Sequence, residues 1–107
     1  MVQDIHSEAE LDAQIGDAKG FILLEFLASW CRPCKVMMPT VSKIAEEIET
    51  MPIYRIDIEE MEDFSERFYI QGTPTFILFC DGKEQGRIIG YHDGTTFREK
   101  LTALMEK

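Results

Sequence analysis

Two hydrophobic periods alternate along this chain, and together they lay out its elements. Phe21 to Ala28 is a near-continuous apolar run, broken by one acid, Glu25, and preceded by Gly20. A run this short between turn-forming residues predicts a strand buried on both faces. Beyond Ser29 and Trp30 the period changes. Met37, Val41, Ile44, Ala45, Ile48 and Met51 keep the i, i+3, i+4, i+7 spacing of one buried helix face. That helix is predicted from Cys31 and Cys34 to about Thr50, with a kink at Pro39, where an amide donor is missing.

Shorter signals place the remaining elements. Val2 to Ile5 reads as an edge strand. Ser7-Glu8-Ala9-Glu10 has the form of a capping box and opens a helix over Glu8–Ile15, which Gly16 ends. Pro52 precedes a strand over Ile53–Ile58, and a short helix follows over Met61–Phe68. Gly72-Thr73-Pro74 interrupts the chain before two strands, Thr75–Cys80 and Gln85–Gly90; the Asp81-Gly82 pair between them suits the positive φ angles of a hairpin turn. A last helix, Thr95–Glu106, is expected to bury Phe97, Leu101, Leu104 and Met105. The order β-α-β-α-β-α-β-β-α implies an α/β protein with a central mixed sheet and helices on both faces.

Composition narrows the class. A chain of 107 residues with 45% hydrophobic and 29% charged residues is expected to form a single domain, residues 1–107, with one core. Its net charge of −9 would be repelled by a phosphate backbone, so no nucleic acid partner is expected. No apolar stretch approaches the roughly 20 residues of a spanning helix, so no membrane association is expected either. The opening Met1-Val2-Gln3-Asp4 carries no basic-then-apolar leader pattern. Three cysteines, an odd number, suit a reducing compartment better than a secreted disulfide framework, and the expected location is the cytoplasm. A monomer is expected at this size and acidity.

Chemistry concentrates at Cys31 and Cys34. Two thiols at C-x-x-C spacing in a βαβ pattern read as a redox pair; a zinc knuckle or a merely buried pair would show the same spacing. Only Cys80, His6 and His92 stand elsewhere, with no second ligand pair at metal spacing, so no metal is expected. The segment Trp30-Cys31-Arg32-Pro33-Cys34-Lys35 resembles the WCGPCK of thioredoxins, with Arg32 where that family usually has glycine. Phe26, Ala28, Pro39, Thr73-Pro74-Thr75, Phe79-x-Asp81-Gly82 and Gly90 extend the resemblance over about residues 5–105. It implies the thioredoxin fold. It also implies thiol–disulfide exchange with disulfide-containing client proteins, no bound cofactor, and recharging of the Cys31–Cys34 disulfide by an NADPH- and flavin-dependent thioredoxin reductase.

The resemblance distributes roles over the site. Cys31 is expected to be the nucleophile: a thiolate attacks and a thiol does not, and a helix N-terminus with Arg32 and Lys35 nearby favours negative charge. Cys34, one turn inward and expected to be less exposed, is the resolving thiol. Pro33 suits the first helical turn and stiffens the ring. Glu25 stands where the family has a buried aspartate that accepts the resolving cysteine's proton. Its apolar neighbours in the strand, Phe21, Leu23 and Leu27, would raise its pKa towards neutrality; a glutamate reaching solvent at a sheet edge is the other reading. Arg55 matches the family's lysine near this acid. Thr73 and Pro74 are expected to bind the client chain as an added strand beside a cis proline, although most X-Pro bonds are trans. Trp30, Pro74, Gly90 and Tyr91 would complete an apolar rim, with Gly90 admitting a close backbone. Leu27 replaces a tryptophan that many members carry behind the site.

Three features have plainer readings. Cys80 reads as a small apolar residue. His6 and His92 read as surface residues. Asp57, Glu59, Glu60, Glu62, Asp63 and Glu66 read as a solvated face or as a docking surface for a basic partner. The function expected is a protein-disulfide reductase. A cation at Arg32 favours the reduced thiolate form and leans the protein towards oxidase or isomerase behaviour. The alternative from another class is a binding adaptor with idle redox chemistry.

Overall fold

The computed structural model describes residues 2–107. Its elements are β1 (Val2–Ile5), α1 (Glu8–Gly16), β2 (Phe21–Leu27), α2 (Arg32–Glu47), β3 (Ile53–Asp57), α3 (Glu62–Arg67), β4 (Thr75–Cys80), β5 (Lys83–Ile89) and α4 (Gly94–Met105). The strands form one sheet in the order β1-β3-β2-β4-β5. β1 and β2 run parallel to β3, whereas β4 is antiparallel to both β2 and β5. The chain is an α/β protein with a mixed sheet and helices on both faces, as the element order predicts.

Each face of the sheet buries its own core. Leu23, Ile53, Phe76, Leu78 and Ile88 pack with Met37, Val41 and Ile44 of α2 and Phe97 and Leu101 of α4. Ile22, Leu24, Phe26, Ile56 and Ile77 pack on the other side with Leu11 of α1 and Phe64 of α3. Successive residues of β2 therefore feed opposite cores, which is why the strand reads as a continuous apolar run instead of an alternating one. Phe76 and Phe97 meet edge to face, with centroids 4.6 Å apart, and lock α4 onto the sheet.

Several boundaries differ from the sequence reading, each for a physical reason. α2 stops at Glu47, with Ile48 as its C-cap, and does not continue to Thr50. Pro52 forces the preceding residue into extended backbone, so the helix must end before Met51. Met51 is still fully buried, in the turn where its amide donates to Ile48 O at 3.1 Å. The helix runs unbroken through Pro39. β5 begins at Lys83, two residues earlier than expected. Asp81 and Gly82 both take left-handed φ angles, 51° and 81°, and so close a two-residue turn that pairs Cys80 directly with Lys83. α4 starts one residue early at Gly94, with the Asp93 side chain accepting from Thr96 N. Leu104 and Met105 are only partly buried and cover the core from outside.

Candidate active site

The end of the sheet where β2 and β3 finish, β4 begins and β5 finishes gathers the residues that the motifs single out. β2 delivers Ala28, Ser29 and Trp30, after which Cys31 caps α2. The cap is a sulfur one: Cys31 Sγ accepts from Cys34 N at 3.2 Å. Arg32 and Pro33 occupy the first two helical positions, and Pro33 gives up an amide that has no intrahelical acceptor there. Cys31 and Cys34 are joined as a disulfide, with Cα atoms 5.3 Å apart. They pack with Ala28, Leu27 and Ile58 in a small cluster, which Ile58 joins to the core under α1 and α3. Both cysteines are 3% exposed, so the closed disulfide covers the two alike and Cys34 is not the more hidden one. Arg32 and Lys35 are both exposed beside it.

Other elements supply the facing wall. The Thr73–Pro74 bond is cis, and Pro74 is buried at the start of β4. Gly90 closes β5 with φ of 84°, a left-handed angle that favours glycine, and its amide donates to Pro74 O at 2.8 Å. Thr75 Oγ1 donates to Gly72 O at 2.7 Å, which pins the turn before the proline. Trp30 (68% exposed), Tyr91 (53%) and Ile89 (65%) present apolar surface to solvent at this end.

Glu25 lies deeper, on β2 at the centre of the sheet and 1% exposed, which removes the edge-strand alternative. Its register partners are Arg55 on β3 and Phe76 on β4. Oε1 stands 3.6 Å from Arg55 Nε, and Oε2 is buried without a hydrogen-bond partner. Burial pushes the Glu25 carboxyl up to about 7; Arg55 pulls it down in part, and Asp4 adds to the rise. A carboxyl titrating there can take up or release a proton at neutral pH.

Some contacts of this region have no signal in the sequence. Ser29 N and Oγ both donate to Glu59 Oε1, at 3.2 and 2.7 Å, so the loop after β3 braces the residue before Trp30. Ile58 N donates to Leu27 O at 2.9 Å in the same brace. Glu60 is spent on His6, 2.8 Å away. Glu59, Glu60, Glu62 and Asp63 are exposed and line a surface cleft of about 410 Å³. His6 is exposed and His92 half-buried, its Nε2 lying 3.2 Å from Ile89 O. Cys80 carries a free, half-buried thiol at the opposite end of β4 from Pro74. Among the described residues no cluster of His, Cys, Asp and Glu is arranged to hold a metal ion.

Comparison with known proteins agrees with this geometry. The profile of the Thioredoxin family matches residues 2–103. The chain is 37% identical to the thioredoxin of Chlamydia pneumoniae over 107 residues, covering all of this chain and 98% of that one. It is 31% identical to thioredoxin-2 of Saccharomyces cerevisiae over 90 residues, 84% of this chain and 86% of the relative. Among solved structures, a wild-type poplar thioredoxin h superposes with a TM-score of 0.89 at 28% identity, over 99% of this chain and 97% of that one. Fasciola hepatica thioredoxin superposes with a TM-score of 0.86 at 31% identity, over 94% and 97% respectively. A redox-capable cysteine pair at a helix N-terminus, set in this fold and with these relatives, means that the chain belongs to the thioredoxin family of dithiol–disulfide oxidoreductases.

Proposed function

We propose that this protein works as one domain, residues 1–107, and reduces client disulfides with Cys31 as the attacking thiol and Cys34 as the resolving one. Cys31 thiolate attacks one sulfur of a client disulfide; a mixed disulfide forms and the client's other sulfur leaves as a thiolate. Cys34, its proton passed to Glu25, attacks Cys31 Sγ and expels the second client sulfur. Two electrons pass to the client, and the Cys31–Cys34 disulfide is left behind. The observation that carries this order of attack is the position of Cys31 as the cap of α2, where unpaired amides stabilise a sulfur anion. Trp30, Arg32, Pro33, Thr73, Pro74 and Gly90 form the surface over which the client chain lies. Recharging requires an electron donor outside this chain, and an NADPH- and flavin-dependent thioredoxin reductase supplies that chemistry. A monomer acting in the cytoplasm, without a bound cofactor, fits the charge and the cysteine count.

The test is reduction of insulin by dithiothreitol with and without the protein. Catalysis at micromolar protein is expected, and a rate equal to that of dithiothreitol alone would leave only the adaptor reading. Arg32 bears on direction. Its cation stabilises the thiolate of the reduced form and so raises the reduction potential, although solvent screens an exposed guanidinium. Equilibration of an Arg32→Gly variant against glutathione is expected to give a potential lower by roughly 10–30 mV than that of the parent. An unchanged or higher value would remove Arg32 from the control of the couple.

A further inference from the structure

The three strands at one side of the sheet each carry a polar residue at the same level. Asp4 on β1 is opposite Arg55 on β3, and Arg55 is opposite Glu25 on β2. The row continues as Phe76 on β4 and Ile88 on β5, so its polar half ends where the core beneath α2 and α4 begins. Residues in register on neighbouring strands share a face, and Arg55 is therefore flanked by two carboxyl groups. Its Nε stands 3.6 Å from Glu25 Oε1 and its Nη1 3.6 Å from Asp4 Oδ1. Neither contact is the short two-pronged pairing that commits an arginine to one acid.

The surroundings leave Arg55 no other rival on Glu25's side. Glu25, whose Oε2 is buried and unpartnered, lines a cavity of about 30 Å³ with Val2, Met38, Val41, Ser42 and Arg55. α2 brings no charge to that cavity, and β4 sets Phe76 opposite Glu25 in the sheet. Arg55 also lines a second pocket, with His6, Asp57 and Glu60 as well as Asp4. Of these acids, Asp4 is the one in contact with the guanidinium. It is also the one whose charge reaches Glu25.

We propose that Asp4 is a positioning residue for Glu25, holding one arm of Arg55 so that the guanidinium is shared between the two acids and not committed to the buried one. A committed Arg55 would hold Glu25 as a carboxylate through the neutral range, with little affinity for the proton of Cys34. A shared Arg55 leaves Glu25 able to exist in both protonation states where the resolving step needs them. The proposal rests on the reading of Glu25 as the proton acceptor of Cys34, and the test separates the two.

Asp4→Asn keeps the size of the side chain and removes its charge, at a position whose side chain is 62% exposed and outside both cores. The direct readout is the titration of Glu25 in the oxidised protein, where neither cysteine of the pair titrates, followed by the carbon-13 shift of its carboxyl group. The midpoint is expected to fall by roughly one pH unit in Asp4→Asn and to return in Asp4→Glu. In an Arg55→Met background the same Asp4→Asn change is expected to shift Glu25 by less than half as much. An unmoved or raised midpoint would overturn the proposal, and so would an equal fall without Arg55, which would mean plain through-space repulsion. The pH midpoint of the attack by Cys34 on a preformed mixed disulfide is followed in parallel. If the Glu25 titration moves and that midpoint stays, Asp4 does position Glu25 and Glu25 does not serve Cys34.

Discussion

A Cys34→Ser protein is expected to stop halfway through the reaction. Mixed with a disulfide-bearing client, it should accumulate a covalent adduct through Cys31, visible as a single added mass that disappears under dithiothreitol. Insulin reduction should fall to the rate of dithiothreitol alone. The reason is geometric. Cys31 caps α2 with its sulfur beside the Cys34 amide, so the mixed disulfide forms within one turn of the only thiol placed to break it. A serine hydroxyl at that place cannot form the intramolecular disulfide that expels the client. Cys80, the remaining free thiol, lies at the far end of β4 and cannot substitute. Cys31→Ser should form no adduct at all. The reverse pattern, an adduct with Cys31→Ser and none with Cys34→Ser, would exchange the two roles.

The second large effect is expected at Glu25 and has a defined pH window. Glutamate in the unfolded chain titrates near 4.5, and burial raises Glu25 to about 7 in the folded protein. Below pH 4.5 the group is protonated in both states and contributes nothing to the difference between them. Between the two values the unfolded chain releases the proton that the folded one retains, so stability falls as pH rises. Above about 7 the loss is complete, at about 3 kcal/mol. Glu25→Gln cannot ionise and escapes it. The variant should be more stable than the parent by about 3 kcal/mol at pH 8 and nearly equal at pH 4, as urea titrations at the two pH values would show. The same change should slow the attack by Cys34 on a mixed disulfide roughly a hundred-fold, the usual worth of a positioned proton acceptor. A stability difference that is the same at both pH values would mean that Glu25 is not the buried titrating group. A resolving rate unchanged between pH 6 and 9 would remove its catalytic role.

Much of the site is legible in the sequence because its parts lie close together in the chain. Trp30 to Lys35 carries the redox pair and the helix start within six consecutive residues, and local backbone preferences decide that geometry. The solitary acid in the apolar run of β2 is equally visible, since a charge surrounded by buried positions stands out against the period. The boundaries that differ do so where a downstream proline or a tight two-residue turn intervenes, as at Met51 and Lys83. What periodicity does not carry is register. Asp4, Arg55 and Glu25 are far apart in sequence and meet only because β1 and β2 both pair with β3 at one level. Ser29 and Glu59 likewise meet across two loops.

Residue order by itself determined the elements, the two-sided burial of β2, and the dithiol at the N-terminus of α2. These follow from local propensity, hydrophobic period and the spacing of two thiols, all of which act over a few residues. Tertiary structure alone decided that Glu25 is buried at the centre of the sheet, that one of its oxygens goes unpartnered, and that Arg55 is divided between it and Asp4. Those outcomes depend on strand order and pairing register, which arise when distant segments bury a shared core, and on the loss of water around a charge that follows.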